Sequence, residues 1–113
     1  MTTIDVDRLS VLLERADDAR TAAEQARRHL QDAQAELRDH NEQAAATQAR
    51  VNRGHAFPTA QAQIEADEVT RSALEARVER RRAALPALER SASAWAGYQT
   101  TLRDFAQKHG VQL

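Results

Sequence analysis

Cysteine is absent from the 113-residue chain, so neither a disulfide framework nor a thiolate metal site can form. Three glycines and two prolines exclude a glycine-rich phosphate cradle and leave few places to turn. Aromatic residues make up 4% of the chain, too few to interleave with basic residues as a stacking surface for bases. Charge of one sign is missing too. The 16 basic and 17 acidic residues leave a formal charge of −1, which argues against a strongly basic nucleic-acid domain and an acidic tail. No apolar run approaches the ~20 residues that span a bilayer, and the acidic start, Met1 to Asp7, lacks the basic-then-apolar pattern of a cleaved signal peptide. The expectation is a cytoplasmic protein, or one inside a phage or secretion assembly, with no membrane partner. β-branched residues are scattered and never alternate, which excludes all-β and α/β folds.

What remains is helix-forming: 24 Ala and 15 Arg against a single Lys. From about residue 7 to 52, Leu9, Leu12, Ala16, Ala19, Ala23, Ala26, Leu30, Ala33, Leu37, His40, Ala44, Thr47 and Val51 follow an unbroken 3-4 spacing. All but His40 and Thr47 are apolar, which is the heptad seam of a coiled coil. A helix of that length runs roughly 65–70 Å and must pack along another long helix. A loop at about 53–58, containing Gly54 and Pro58, separates it from a second helix predicted over about 59–109. Thr59 is the expected N-cap, Gly110 the C-terminal stop and Val111 its hydrophobic contact. Two arms of nearly equal length predict an antiparallel hairpin in which residue i faces roughly 111−i.

That register selects Ala60, Ile64, Asp67, Arg71, Leu74, Val78, Arg81, Leu85, Leu88, Ala92, Trp95, Gln99 and Leu102. Most are apolar, and large residues fall opposite small ones, Trp95 near Ala16 and Leu88 near Ala23, as close packing requires. Polar positions gather where His40, Thr47, Asp67 and Arg71 meet, a device for fixing register. Pro86 cannot donate to the Arg82 carbonyl, so the second helix should kink or break there. The seam keeps its phase through Val78, Leu85, Leu88 and Ala92, which favours a kink. The predicted fold is all-α: a single-domain, long antiparallel two-helix coiled-coil hairpin that associates into a helical bundle.

A second stripe is a candidate self- or partner-interface, and it supports the association. Ala62, Ala66, Val69, Ala73, Ala76, Ala83 and Ala87 lie beside the seam on the second arm. Six of the thirteen first-arm seam residues are Ala, so the hairpin alone buries little against ~1–2 kcal/mol of ordering cost per residue. A homodimer forming a four-helix bundle is the simplest remedy. Two smaller candidates accompany the stripe. Arg53, His55 and Phe57 form a loop contact suited to a protein partner, because Arg and aromatic residues are favoured anchors. Arg27, Arg28, Arg77, Arg80, Arg81, Arg82 and Arg90 form a basic belt that suits an acidic partner or nucleic acid.

Catalytic patterns do not emerge. Neither Glu-x-x-His nor His-Glu-x-x-His occurs. Glu36, Asp39 and His40 share a turn, but helix-surface pairing explains them. No enzyme activity, metal or cofactor is expected. Trp95-Ala96-Gly97 resembles the motif of the secreted W-x-G helical hairpins, which are similar in size and composition. In that family the motif forms the turn between helices. Here it lies deep in the second arm, and Leu102 stands where that family's tail acid belongs, so the assignment is rejected. Coiled-coil hairpins of secretion-apparatus chaperones and stalk proteins, and small helical phage proteins, are similar in general form. The Arg-over-Lys and Ala bias points to a GC-rich bacterial or phage genome. The sequence therefore predicts a non-enzymatic adaptor, chaperone or structural accessory that acts through helix faces. A nucleic-acid-associated protein using the arginine belt is the alternative.

Overall fold

The computed structural model describes residues 5–54 and 58–111. Two helices account for nearly all of them: α1, Val6–Asn52, of 47 residues, and α2, Ala60–Lys108, of 49. No strand occurs among the described residues. The two helices pack against each other as an antiparallel hairpin, in the order the heptad seam requires.

The helix ends follow from local chemistry. Asp5 caps α1, its Oδ1 accepting from the Arg8 backbone N–H at 3.1 Å, so the helix begins slightly earlier than the apolar pattern alone predicts. At the other end of α1, Gly54 adopts φ +83° and donates to the Val51 carbonyl at 3.0 Å. A side chain is disfavoured in that left-handed conformation, which is why glycine stops the helix there. The Thr59 carbonyl accepts the first α2 bond, from Gln63 at 2.9 Å, as expected of the N-cap. Gly110 (φ +71°) and Val111 close α2 as a Schellman motif: Val111 donates to the Ala106 carbonyl at 2.8 Å and Gly110 to that of Gln107 at 3.2 Å.

The seam residues are the ones removed from solvent. All thirteen predicted α1 positions are buried or half-buried, with Ala23 only 1% exposed. On α2, twelve of the thirteen are buried or half-buried, and Arg81 is the exception. A guanidinium facing a two-helix seam costs desolvation without a buried partner, so the side chain stays in water. The helix runs through Pro86 without a break, and both Pro86 and Arg82 are exposed, leaving the orphaned Arg82 carbonyl within reach of water.

Contacts divide the chain into two units: a middle unit, Arg28–Ala83, and a terminal unit, Met1–Arg27 with Ala84–Leu113. In the middle unit Ala33, Ala44, Leu74 and Val78 are buried. Its expected polar layer of His40, Thr47, Asp67 and Arg71 forms in part. His40 Nε2 donates to the Asp67 carbonyl at 2.9 Å, and Arg71 Nε donates to Asn41 Oδ1 at 3.3 Å. Thr47 instead bonds back to the Gln43 carbonyl of its own helix. Arg77 and Glu36 pair across the helices at 2.8 Å. In the terminal unit Leu9, Leu102 and Ala106 form a buried cluster, with Leu12, Leu13 and Val111 packed on it. Arg27 meets Glu89 at 3.1 Å and Gln99 meets Asp17 at 3.4 Å. These cross-helix partners lie within five positions of the 111−i register.

No helix of the described residues is long and apolar enough to cross a membrane.

Candidate functional site

The second stripe lies on α2 away from the seam. Its members stand two residues on from the seam positions Ala60, Ile64, Asp67, Arg71, Leu74, Arg81 and Leu85, about 200° around the helix. All seven are exposed, Val69 the most at 72%. Ala62, Ala66, Val69, Ala73, Ala76 and Ala83 belong to the middle unit, and Ala87 to the terminal unit. Their spacing is 4-3-4-3, then a gap of seven, then 4, and Arg80 fills the gap in phase. The stripe is thus a second heptad seam with one arginine in it, a signal that periodicity alone carries. Arg80 is exposed and makes no ion pair among the described residues.

Such a surface does one thing well. Alanine side chains end at Cβ, so a second helix can approach closely, and Val69 offers a single knob for a hole on that helix. Arg80 supplies the one long, charged group in the row.

The basic belt does not assemble as one site. Arg28, Arg77, Arg80, Arg81 and Arg82 belong to the middle unit, and Arg27 and Arg90 to the terminal unit. All seven are exposed. Three already face carboxylates: Arg27 on Glu89, Arg77 on Glu36, and Arg82 on Glu79 at 2.8 Å. Within the middle unit Arg77 and Arg81 border a hollow of about 150 Å³ with His29, Asp32 and Glu36, where the two carboxylates balance the two guanidiniums. Of the loop candidates, Arg53 is exposed and its Nε donates to the Ala49 carbonyl at 3.4 Å. His55 and Phe57 lie outside the described residues.

Glu36 and His40 do not converge on a common point, since Arg77 holds the Glu36 carboxylate and the Asp67 carbonyl takes the His40 Nε2–H. Among the described residues no group of three or more His, Asp or Glu is placed to hold a metal ion.

Two hollows were not foreseen. One, of about 450 Å³ in the middle unit, lies along α1 between Gln34 and Ala45, floored by Leu37 and Val78 and edged by Arg38 and Arg82. The other, of about 290 Å³ in the terminal unit, is lined by Ala94, Trp95 and Tyr98. Clustering of three of the four aromatic residues between positions 95 and 105 was its sequence signal.

No protein-family model matches the chain, and no curated protein or solved structure matches it.

Proposed function

We propose that this chain is a non-enzymatic interaction protein, an adaptor, chaperone or structural accessory of a bacterial or phage assembly, which docks a partner helix on the outer stripe of α2. One observation carries the reading: the hairpin uses one heptad seam for itself and leaves a second, in phase along Ala62, Ala66, Val69, Ala73, Ala76 and Ala83, exposed to solvent. Docking is helix-to-helix. The small residues set a close approach, and Val69 fixes the register along the stripe. Arg80, in phase between Ala76 and Ala83, calls for a carboxylate on the partner helix, because a guanidinium brought into a helix–helix seam needs an opposite charge. Nucleic-acid binding is the weaker reading, since three of the seven belt arginines already face carboxylates.

The test uses the absence of cysteine. A benzophenone attached at Val69→Cys should yield a discrete heavier adduct in an extract of the source cells. Adding Ala73→Glu should abolish that adduct, and Arg80→Glu should weaken it. Adducts that form equally well with Ala73→Glu would contradict the proposal. Retardation of DNA or RNA at low salt, lost on replacing Arg80, Arg81 and Arg82 with Glu, would replace it with the nucleic-acid reading.

A further inference from the structure

We propose that the hollow at Ala94, Trp95 and Tyr98 in the terminal unit binds a quaternary ammonium group, the head of a small choline-like cation. The site begins with the placement of two rings. Trp95 holds a seam position and is half-buried, so the packing of the hairpin anchors the indole. Tyr98 follows three residues on, about one turn along the same side of α2, and is 47% exposed. The ring centroids stand 5.7 Å apart and the planes are inclined at 73°. Two nearly perpendicular rings make a corner with an aromatic face on each wall. Ala94, whose side chain ends at Cβ, completes a hollow of about 290 Å³.

The chemistry of the corner selects its occupant. An aromatic face carries the negative lobe of the ring quadrupole, so two faces meeting at an angle attract a cation and repel an anion. None of the three lining residues carries a carboxylate or an amide, and the Tyr98 hydroxyl is the one side-chain oxygen among them. A protonated amine or a guanidinium entering the corner would leave most of its N–H groups without acceptors, and that desolvation opposes binding. A quaternary ammonium has no N–H to satisfy. Its charge is spread over methyl groups that pack on both ring faces and on Ala94.

Size points the same way. The volume lies at the lower end of the range for small-ligand sites, which suits a compact headgroup better than a larger molecule. Tyr98 is exposed, so the rest of the cation projects into water. Because Trp95 is held by the seam, one wall is in place before the ligand arrives, which lowers the ordering cost of binding. The corner shares no residue with the alanine stripe and does not rest on its reading.

Trp95 is the only tryptophan, so its emission reports on this corner alone. The test titrates choline chloride into the full chain at constant ionic strength, sodium chloride making up the salt. Trp95 emission should change along a saturable curve. The neutral isostere of choline, with carbon in place of nitrogen, should bind at least about fivefold more weakly, and so should ethanolamine. Tyr98→Phe keeps the ring and should keep the affinity within about twofold. Tyr98→Leu keeps apolar bulk but removes one wall, and should weaken choline at least about threefold with helical circular dichroism unchanged. The comparison of choline with its isostere uses the wild type, so it decides the matter even where Tyr98→Leu folds poorly. No saturable change with choline would overturn the proposal. Equal binding of the isostere would make the hollow merely apolar and overturn it too. So would tighter binding of ethanolamine, affinity lost in Tyr98→Phe, or affinity unchanged in Tyr98→Leu. None of these readings depends on whether a partner helix docks on the stripe, so the two ideas fail separately.

Discussion

The middle and terminal units are built from the same two helices and the same heptad spacing, yet they solve the packing problem differently. The middle unit buries Ala33, Ala44, Leu74 and Val78 and interrupts its seam with His40, Asp67 and Arg71. The terminal unit closes on an apolar cluster of Leu9, Leu102 and Ala106, sealed by the Val111 that follows the helix stop. Their outer faces differ as well. The middle unit shows a row of alanines with one valine and one arginine, and the terminal unit shows Tyr98 and Phe105. A polar layer gives up burial and gains register, since each polar group must find its partner before the helices settle. An apolar end gives up register and gains burial. The contrast teaches that one heptad spacing can specify alignment in one stretch and supply stability in another.

The largest expected effect lies in the terminal cluster. Leu102→Ala should destabilise by about 2–4 kcal/mol, because Leu102 is buried among Leu9 and Ala106. Hydrogen exchange should show the loss of protection in the terminal unit above all, and equal loss in the middle unit would erase the contrast. Next comes overpacking. Ala23 is 1% exposed, and Ala23→Leu should cost about 1–3 kcal/mol in chemical denaturation. An unchanged midpoint would show that the seam is looser than its alanines imply. Gly110→Ala should cost about 1 kcal/mol, because φ +71° strains an L-residue and Val111 is held by the same cap. Thermal melting would read it. His40→Leu sharpens the comparison differently: stability should stay level or rise, while the single alignment is lost and amide resonances of the middle unit multiply. A single unaltered set of resonances would show that His40 does not set register. The smallest effect is at the surface. Arg77→Ala removes an ion pair to Glu36 in which both side chains are about half exposed, and it should cost under about 1 kcal/mol, less still in high salt.

Much of the fold was legible because a heptad repeat reports directly on burial. Every α1 seam position and all but one on α2 proved at least half-buried. Arg81 alone on the seam is exposed, because a guanidinium keeps its charged head in water even where the register sets its stem opposite Leu30. Asp5 as a cap was not legible from the apolar pattern, which begins later, although Asp is a favoured N-cap residue whose carboxylate accepts a backbone N–H of the first turn. Ala106, among the most buried residues of the chain, was missed because the register was followed only to the partner of Leu9. Its spacing of four from Leu102 and four from Gly110 was there to be read. Arg80 escaped notice as a stripe member because the stripe was sought by apolarity.

The central claim is that α2 buries one heptad seam in the hairpin and offers the other to a partner. Single cysteines placed along 62–85 of the otherwise cysteine-free chain test it through their rates of thiol alkylation. In the purified protein, Ala66→Cys, Val69→Cys and Ala73→Cys should react at the rate of an exposed thiol, while Leu74→Cys and Val78→Cys should be slow. In extract of the source cells the first three should become protected while an exposed position off the stripe, Glu75→Cys, stays reactive. Stripe cysteines that remain fully reactive in extract, or that are protected together with Glu75→Cys, would contradict the account.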